Sequence, residues 1–499
     1  SMGMGGGWPL SVFITPDKKV FYGGTYFPPE DSYGRPGFKK VLTTIVDFYR
    51  SNRDEVIQYS DSLMDSLRLS PLLPEEIDKS AIDIALKEIF SVFDPQNGGF
   101  GTAPKFPMTG TIDFMINRFF LTKNSQIGYV IKTTLESMAK GGIHDQIGGG
   151  FHRYSTDEGW IIPHFEKMAD DNAWLLRNYI DAYQVFGYEY FKEVASGIID
   201  FINDYLADPE GGFYTSMDAD VVPEDEGGYF TWTEDDFKEI LSKDEYEVLL
   251  LHYFHERGRM HHDRSKRVLF IAMDKEEIAQ RLGKDINTIS ELIKTGTRKL
   301  LQKRKERVTP YIDKAFYTSI NGMLITSYLK AFRIFKDDKL RDFTIKSLEK
   351  IIERHFINGE LFHTEGVKAL LDDYIYLIEA LISAYELTAE SYYLHQVDLF
   401  MKKCIDRFWN KEEGGFFDND EEFLGIRLKG IEDIPHPSTN SLSIILLLRL
   451  YNITNNELYI KYAEQALKIF SLNAKSAGIH ACFYFSALDH YFNLLKLTL

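Results

Sequence analysis

Two kinds of helical pattern alternate along this chain. Runs with apolar residues on one face only fall at roughly 79–93, 126–140, 189–206, 338–356 and 391–410. Each leads, sooner or later, to a more apolar run, at 110–122, 164–186, 320–336, 371–388 and 438–454. Apolar residues recur at helical spacing throughout, as in LIEALISAYEL. Between the two runs of each pair lies a Gly-Gly-Phe loop or a relative of it: NGGFG at 97–101, GGGF at 148–151, EGGFY at 210–214, NGELF at 358–362 and EGGFF at 413–417. A sixth pair, 457–472 and 477–497, lacks the glycine signal. Repeats of about fifty residues made from helix pairs suggest a solenoid or a closed toroid. Six pairs whose second helix is the more hydrophobic fit a mainly α fold, an (α/α)6 toroid with the apolar helices as inner ring. The loops all run from an outer helix to the next inner one. They are therefore expected to exit at one end and to frame a concavity over the inner-helix N-termini.

The rhythm breaks at an insertion, about 214–319, with an acidic hairpin (DADVVPEDEGGYFTWT) and helical segments near 233–251 and 274–305. It also holds HERGRMHHDRSKR at 255–267, whose histidines among arginines and lysines read as a solvated loop rather than a metal site. At the start, LSVFI and KVFYG predict a strand hairpin turning at Pro16-Asp17-Lys18, and a helix follows from Phe38 to about Leu69. A hairpin with one helix cannot bury enough surface to stand alone, so residues 1–70 must pack on the toroid or self-associate through the LSVFI strand edge.

Composition narrows the classes. A net charge of −18 argues against nucleic-acid partners, which need basic surface. The longest apolar runs, such as SIILLL at 443–448, fall far short of the ~20 residues that span a membrane. No secretory pattern opens the chain, and two cysteines, Cys404 and Cys482, fit a reducing cytoplasm. No P-loop, dinucleotide fingerprint or strong metal motif occurs, so no cofactor and no metal are expected.

The chemistry concentrates at 144–172, HDQIGGGFHRYSTDEGWIIPHFEKMADDN. Pro163 suits the first turn of a helix continuing from His164, which would put His164 and Asp171 on one face and Glu166 on the next. His144 and His152 flank the glycine turn, Arg153 offers a fork for a hydroxyl or carboxylate, and Trp160 and Trp232 offer flat stacking faces. Asp218 and Asp220 alternate along an extended segment, a spacing that suits paired carboxylates in acid–base work. Asp373 opens an inner helix beside Asp372, and Asn321 and Asn440 also sit near inner-helix starts, where capping is the default role.

Several of these segments together resemble one family, the YyaL-like or spermatogenesis-associated thioredoxin-like proteins. They are GGWPLSVFITPD with GGTYFPPE, GGFGTAPKFP, GGGFHRYSTDEGWIIPHFEKMADDN, MDADVVPEDEGGYFTW, DKAFYTSINGM, LLDDYIYLIEAL and HPSTNS, in order along nearly the whole chain. The resemblance implies a thioredoxin-like N-terminal domain followed by a six-hairpin toroid similar to N-acylglucosamine 2-epimerases and glycosidases. Residues 1–70 would be the second half of the thioredoxin-like domain, with Pro9 resembling its cis-proline, and 71–499 the toroid. The family's Cys-bearing motif stands upstream of Gly-Gly-Trp-Pro and is not in this chain. Family members commonly carry Trp within the segment that reads Ser319-Ile320-Asn321-Gly322 here, and Gly where Thr439 stands.

The resulting expectation is a carbohydrate-active enzyme with a sugar-like small-molecule ligand. The leading reading is an epimerase or isomerase that moves a proton α to a carbonyl, with His152 and His164 as the acid–base pair and Glu166 assisting. The alternatives are a glycoside hydrolase using Asp218 or Asp220 with Asp373, and a ligand-binding or redox-linked module without catalysis of its own.

Overall fold

The computed structural model describes residues 10–32, 34–67, 72–222, 224–422 and 426–494. Pro9, part of the thioredoxin resemblance, lies outside them. The backbone divides into two compact units, Ser1–Leu73 with Phe417–Lys429, and Pro74–Phe416 with Gly430–Leu499. In the first, β1 (Ser11–Ile14) pairs antiparallel with β2 (Val20–Gly24), as the alternating sequence predicts. Leu10, Val12 and Ile14 remain about half exposed. The helix expected from Phe38 onward is broken at Asn52 into α1 (Phe38–Ser51) and α2 (Arg53–Leu67), because Asn52 leaves helical geometry. The segment Phe417–Lys429, read from sequence as a toroid loop, groups with this unit.

The second unit is built from helix pairs: α3 (Ser80–Val92) with α4 (Thr109–Thr122), and α5 (Ser125–Lys140) with α6 (Ala169–Phe186). The third pair opens with α7 (Glu189–Phe201), and the insertion then contributes α8 (Glu234–Ile240), α9 (Lys243–Tyr253), α10 (Lys275–Leu282) and α11 (Ile286–Arg304). The pair closes with α12 (Thr318–Phe335). There follow α13 (Asp338–His355) with α14 (Leu371–Thr388), α15 (Ser391–Phe408) with α16 (Thr439–Thr454), and α17 (Glu457–Ala477) with α18 (Cys482–Phe492). The second members close a ring: α4 packs on α6, α6 on α12, α12 on α14, α14 on α16, α16 on α18, and α18 back on α4. The burial follows the sequence pattern. Outer helix α13 buries one stripe, Leu340, Thr344, Ser347, Leu348, Ile351 and His355, whereas inner helix α14 buries Tyr374, Ile375, Tyr376, Leu377 and Ile378 in succession. No described helix is long and apolar enough to cross a membrane.

The Gly-Gly-Phe loops share one construction. Both glycines of Gly149-Gly150, Gly211-Gly212 and Gly414-Gly415 take positive φ, between 70° and 100°, which glycine adopts without steric cost. The turn brings the following Phe back onto the end of the outer helix or its approach, so that Phe151 bridges His144, Phe213 bridges Ala207 and Phe416 bridges Trp409. An Asn in the first turn of the next inner helix then clasps that Phe. The Phe151 N–H donates to Asn172 Oδ1 (2.7 Å) and Asn172 Nδ2 donates to the Phe151 carbonyl (2.9 Å). Asn321 holds Phe213 the same way (2.8 and 3.1 Å), and Asn440 holds Phe416 (2.9 and 3.0 Å). Each clasp satisfies both backbone groups of a buried Phe, so the loop is pinned to the helix N-terminus.

The insertion has its own apolar centre of Trp232, Phe237, Val248, Leu249, Ile278, Ile289 and Leu300, into which Ile147 of the glycine loop also packs. Asp145 ties the two together. Its carboxylate accepts from Arg304 of α11 (2.8 Å), from Lys167 (2.7 Å) and from the Ile147 and Gly148 N–H groups. Burial alone would raise its pKa, but Arg304 and then Lys167 hold it well below the usual carboxylate range.

Candidate functional site

The N-termini of the inner helices gather the polar residues of the loops. Ahead of α6 the chain is extended rather than helical, since β4 (Pro163–His164) pairs with β3 (Tyr154–Ser155), and β5 (Lys167–Met168) pairs with β6 (Ser216–Met217). β6 pairs in turn with β7 (Ile312–Asp313). Alternation therefore decides which side chains are available: Pro163, Phe165 and Lys167 are buried, while His164, Glu166 and Met168 are only partly so. This corrects the expected helix start at His164. Tertiary pairing to 154–155 and 216–217 delays it to Ala169, and the shared helical face of His164 and Asp171 does not exist.

His164 and Glu166 nevertheless meet, two residues apart on one side of the strand. His164 Nε2 lies 3.8 Å from Glu166 Oε2, and Nδ1 lies 3.2 Å from Glu226 Oε1. Arg153 donates to Glu166 (3.1 Å). Asp171, in the first turn of α6, is pushed well above the usual carboxylate range by burial and by the neighbouring Asp170. Asp218 is raised by burial and by repulsion from Glu166, Asp220 and Asp313.

A second constellation stands at the starts of α12 and α14, where β9 (Glu360–Thr364) pairs on its two sides with β8 (Phe356–Ile357) and β10 (Val367–Lys368). β9 carries His363, whose ring stacks on Tyr317 with centroids 4.6 Å apart. Its Nδ1 is held by both oxygens of Asp373, at 2.9 and 3.0 Å. Asp373 is fully buried and also accepts the N–H groups of Ser319 (3.0 Å) and Leu370 (2.9 Å). The bond to Asp373 raises the His363 pKa, and burial raises that of Asp373. This is a carboxylate-oriented imidazole, with Nε2 left to take or give a proton. Sequence reasoning passed over His363; the available signal was its place in the loop before an inner helix, the same place that drew attention to His152. Next along the ring, the Tyr376 hydroxyl meets His436 Nδ1 (3.2 Å) and Thr439 donates to Asp372.

Below this rim the ring axis carries an aromatic layer. Trp174 of α6 meets Tyr376 of α14 and Phe483 of α18 edge-on, and the Arg177 guanidinium lies 4.2 Å from the Trp174 ring centroid. Arg177 is locked bidentately to Glu379 (2.9 and 3.0 Å). A cavity of about 700 Å³ lies along the later turns of the inner helices, lined by Trp174, Arg177, Asp181, Lys330, Glu379 and Arg449 among others; it sits away from the Gly-Gly-Phe loops, and neither His164 nor His363 lines it.

The remaining expected site residues lie elsewhere. His152 is 2% exposed, bonded to the Phe165 carbonyl and edge-on to Phe165 and Phe230; burial takes its pKa well below the ordinary value, so it is a neutral packing residue. His144 packs on Phe151, beside the Ala139 carbonyl. Trp160 is fully buried, donating to the Asn97 and Gly98 carbonyls, and Trp232 is fully buried in the insertion. Neither offers a stacking face. Asn321 and Asn440 are clasps for the Phe residues of preceding loops, not caps of their own helices. Asp373 acts on His363 and on two N–H groups, and is too buried to meet a ligand itself. Among the described residues no group of three His, Cys, Asp or Glu side chains is placed to hold a metal ion. Cys404 and Cys482 are buried, their thiols pushed up by burial.

Comparison with known proteins fits this architecture. The Thioredox_DsbH family, described as "Protein of unknown function, DUF255", matches residues 1–68. Human spermatogenesis-associated protein 20 is 31% identical over 94% of this chain, which spans 66% of the human protein's length, just under two thirds. An uncharacterized protein of Caenorhabditis elegans is 31% identical over 93% of the chain and 69% of its own length. Among solved structures, cellobiose 2-epimerase from Spirochaeta thermophila superposes with a TM-score of 0.52 at 12% identity, covering 83% of this chain and 96% of that one. D-mannose isomerase does so at 0.52 and 10% identity, covering 82% and 96%. Likeness at that level establishes the six-hairpin toroid, while the matches along nearly the whole sequence establish descent. The chain belongs to the family of spermatogenesis-associated protein 20 and the YyaL-like proteins.

Proposed function

We propose that the ring is a sugar-processing enzyme, an epimerase or isomerase acting on a free reducing sugar. The carrying observation is the His363–Asp373 pair at the inner-helix N-termini, an imidazole fixed through Nδ1 by a buried carboxylate. Family and fold add support, since solved toroids of this kind include a cellobiose 2-epimerase and a D-mannose isomerase. In the proposed reaction on the open-chain sugar His363 Nε2 takes the proton from the carbon next to the carbonyl, the C–H electron pair forms a C=C bond, and the carbonyl π pair moves onto its oxygen to give an enediolate. A proton returned to that carbon from the opposite face gives the epimer. A proton placed on the former carbonyl carbon, with the neighbouring hydroxyl proton passing to the oxyanion as the new carbonyl forms, gives the ketose. His164, set between Glu166 and Glu226, is the second imidazole this reading assigns to proton relay. The test is incubation with a panel of unmodified aldoses and ketoses in deuterated water, followed by NMR. Loss of the C–H signal α to the carbonyl of at least one sugar is the expected result, and no exchange in any of them would end this reading.

A further inference from the structure

We propose that the cavity along the later turns of the inner helices is a second binding site, separate from the His363 rim, and that it takes a short zwitterion, with an ammonium and a carboxylate a few bonds apart as in a free amino acid. All six inner helices contribute to its wall. On α6 the lining residues run from Trp174 in the second turn to Val185 in the last, so the cavity belongs to the end of the ring opposite the Gly-Gly-Phe loops. Its volume, about 700 Å³, is that of a small-molecule pocket.

The charges that line it are matched in number more evenly than in place. Arg177 and Glu379 hold each other bidentately and cancel. Beside them two acids share one cation. Lys330 pairs with Asp181 at 2.6 Å, and Asp113 lies near both, with no cation among the described residues bonded to it. The hydrogen bonds that reach Asp113, from Asn117 (2.9 Å) and Ser486 (3.0 Å), both fall on Oδ2. Burial and the charge of Asp181 push its pKa up to about 7, the mark of a carboxylate short of positive partners. One turn further out the imbalance reverses. Arg333 and Arg449 share the single carboxylate of Glu386, one on each oxygen (3.2 and 2.7 Å), and Lys123 rests on the rings of Phe119 and Phe120. The negative ends of the inner helices account for cations at this end of the ring, but not for the surplus acid beneath them. Lys330 and Arg333 are three residues apart on α12, a rise of about 4.5 Å. An ammonium beside Asp113 and Asp181 and a carboxylate beside Arg333 and Arg449 would be spaced like the two ends of a short amino acid. A lone anion leaves the acids uncompensated and a lone cation leaves the arginines so; a zwitterion meets both. Neither His164 nor His363 lines the cavity, so its occupant is not the substrate of the rim.

The test is calorimetric titration of the whole chain at low ionic strength with glycine, β-alanine, γ-aminobutyrate and 5-aminopentanoate, each against the alkylamine and the alkyl carboxylate of matching length. At least one zwitterion should bind about tenfold tighter, or more, than either singly charged analogue. Gln184→Trp, at an exposed lining position in the last turn of α6, should obstruct the mouth and abolish that binding at unchanged thermal stability. Asp113→Asn should erase the advantage over the carboxylate analogue; Arg449→Gln, which should erase the advantage over the amine, is the second variant if the first misfolds. Amines or carboxylates that bind as tightly as the zwitterions would overturn the proposal. So would no binding of any zwitterion, or binding left unchanged by Gln184→Trp.

Discussion

At the scale of the residue, what matters is which polar groups are consumed by structure and which are left over. His152, the histidine most conspicuous in the sequence, is consumed: its Nδ1 bonds a backbone carbonyl and its faces are covered by Phe165 and Phe230. Among the described residues His363 is held at one nitrogen, Nδ1. Asp373 is its positioning residue. Asp373→Asn keeps a similar shape and one acceptor oxygen but removes the charge that raises the His363 pKa. The activity should fall by about 10- to 100-fold, and the acid limb of the rate–pH profile should move to lower pH. A role confined to bonding Ser319 and Leu370 would lower thermal stability without moving that limb. Reading histidines by their local clustering favoured His144, His152 and His164. The pairing of His363 with Asp373 spans a hairpin and a helix start, and nothing in the local pattern announces it. Trp160 and Trp232 misled for a related reason: a tryptophan looks the same in sequence whether it fills a core or faces a ligand.

At the scale of the element, helix pairs were legible because periodicity and Gly-Gly-Phe turns are local signals. The start of α6 was not, because pairing of 163–168 with strands near 154 and 216 overrides a Pro-led helix signal. The clasps were also hidden, since Asn172, Asn321 and Asn440 reach back 21, 108 and 24 residues to their Phe partners. They are testable. Asn321→Ala leaves the buried N–H and carbonyl of Phe213 without partners. The expected cost is roughly 1–3 kcal/mol in the urea unfolding midpoint for each such group stranded. A midpoint unchanged by Asn321→Ala and Asn172→Ala alike would show the clasps to be incidental.

For the whole molecule, closure of six inner helices brings together loops separated by hundreds of residues, and it also buries histidines in neutral form. Burial lowers His144, His355 and His490 to about 4, from an ordinary 6.5. In the unfolded chain these imidazoles take up protons below pH 6.5, whereas in the folded one they resist until about pH 4. Their contribution is therefore present above pH 6.5 and lost as pH falls through that window, on the order of 1–3 kcal/mol each. His363 runs the other way, its raised pKa favouring the folded state below 6.5 and losing that benefit as pH rises through the shifted value. Urea midpoints should decline between pH 6.5 and 4, and a flat profile across that range would contradict neutral burial.

The proposed function turns on proton transfer at His363. The most direct measurement is the rate of solvent deuterium incorporation next to the carbonyl of whichever sugar the wild-type chain exchanges, repeated with His363→Gln. A loss of at least about 100-fold with thermal stability retained is expected. A folded His363→Gln protein that exchanges the same C–H at the wild-type rate would contradict it.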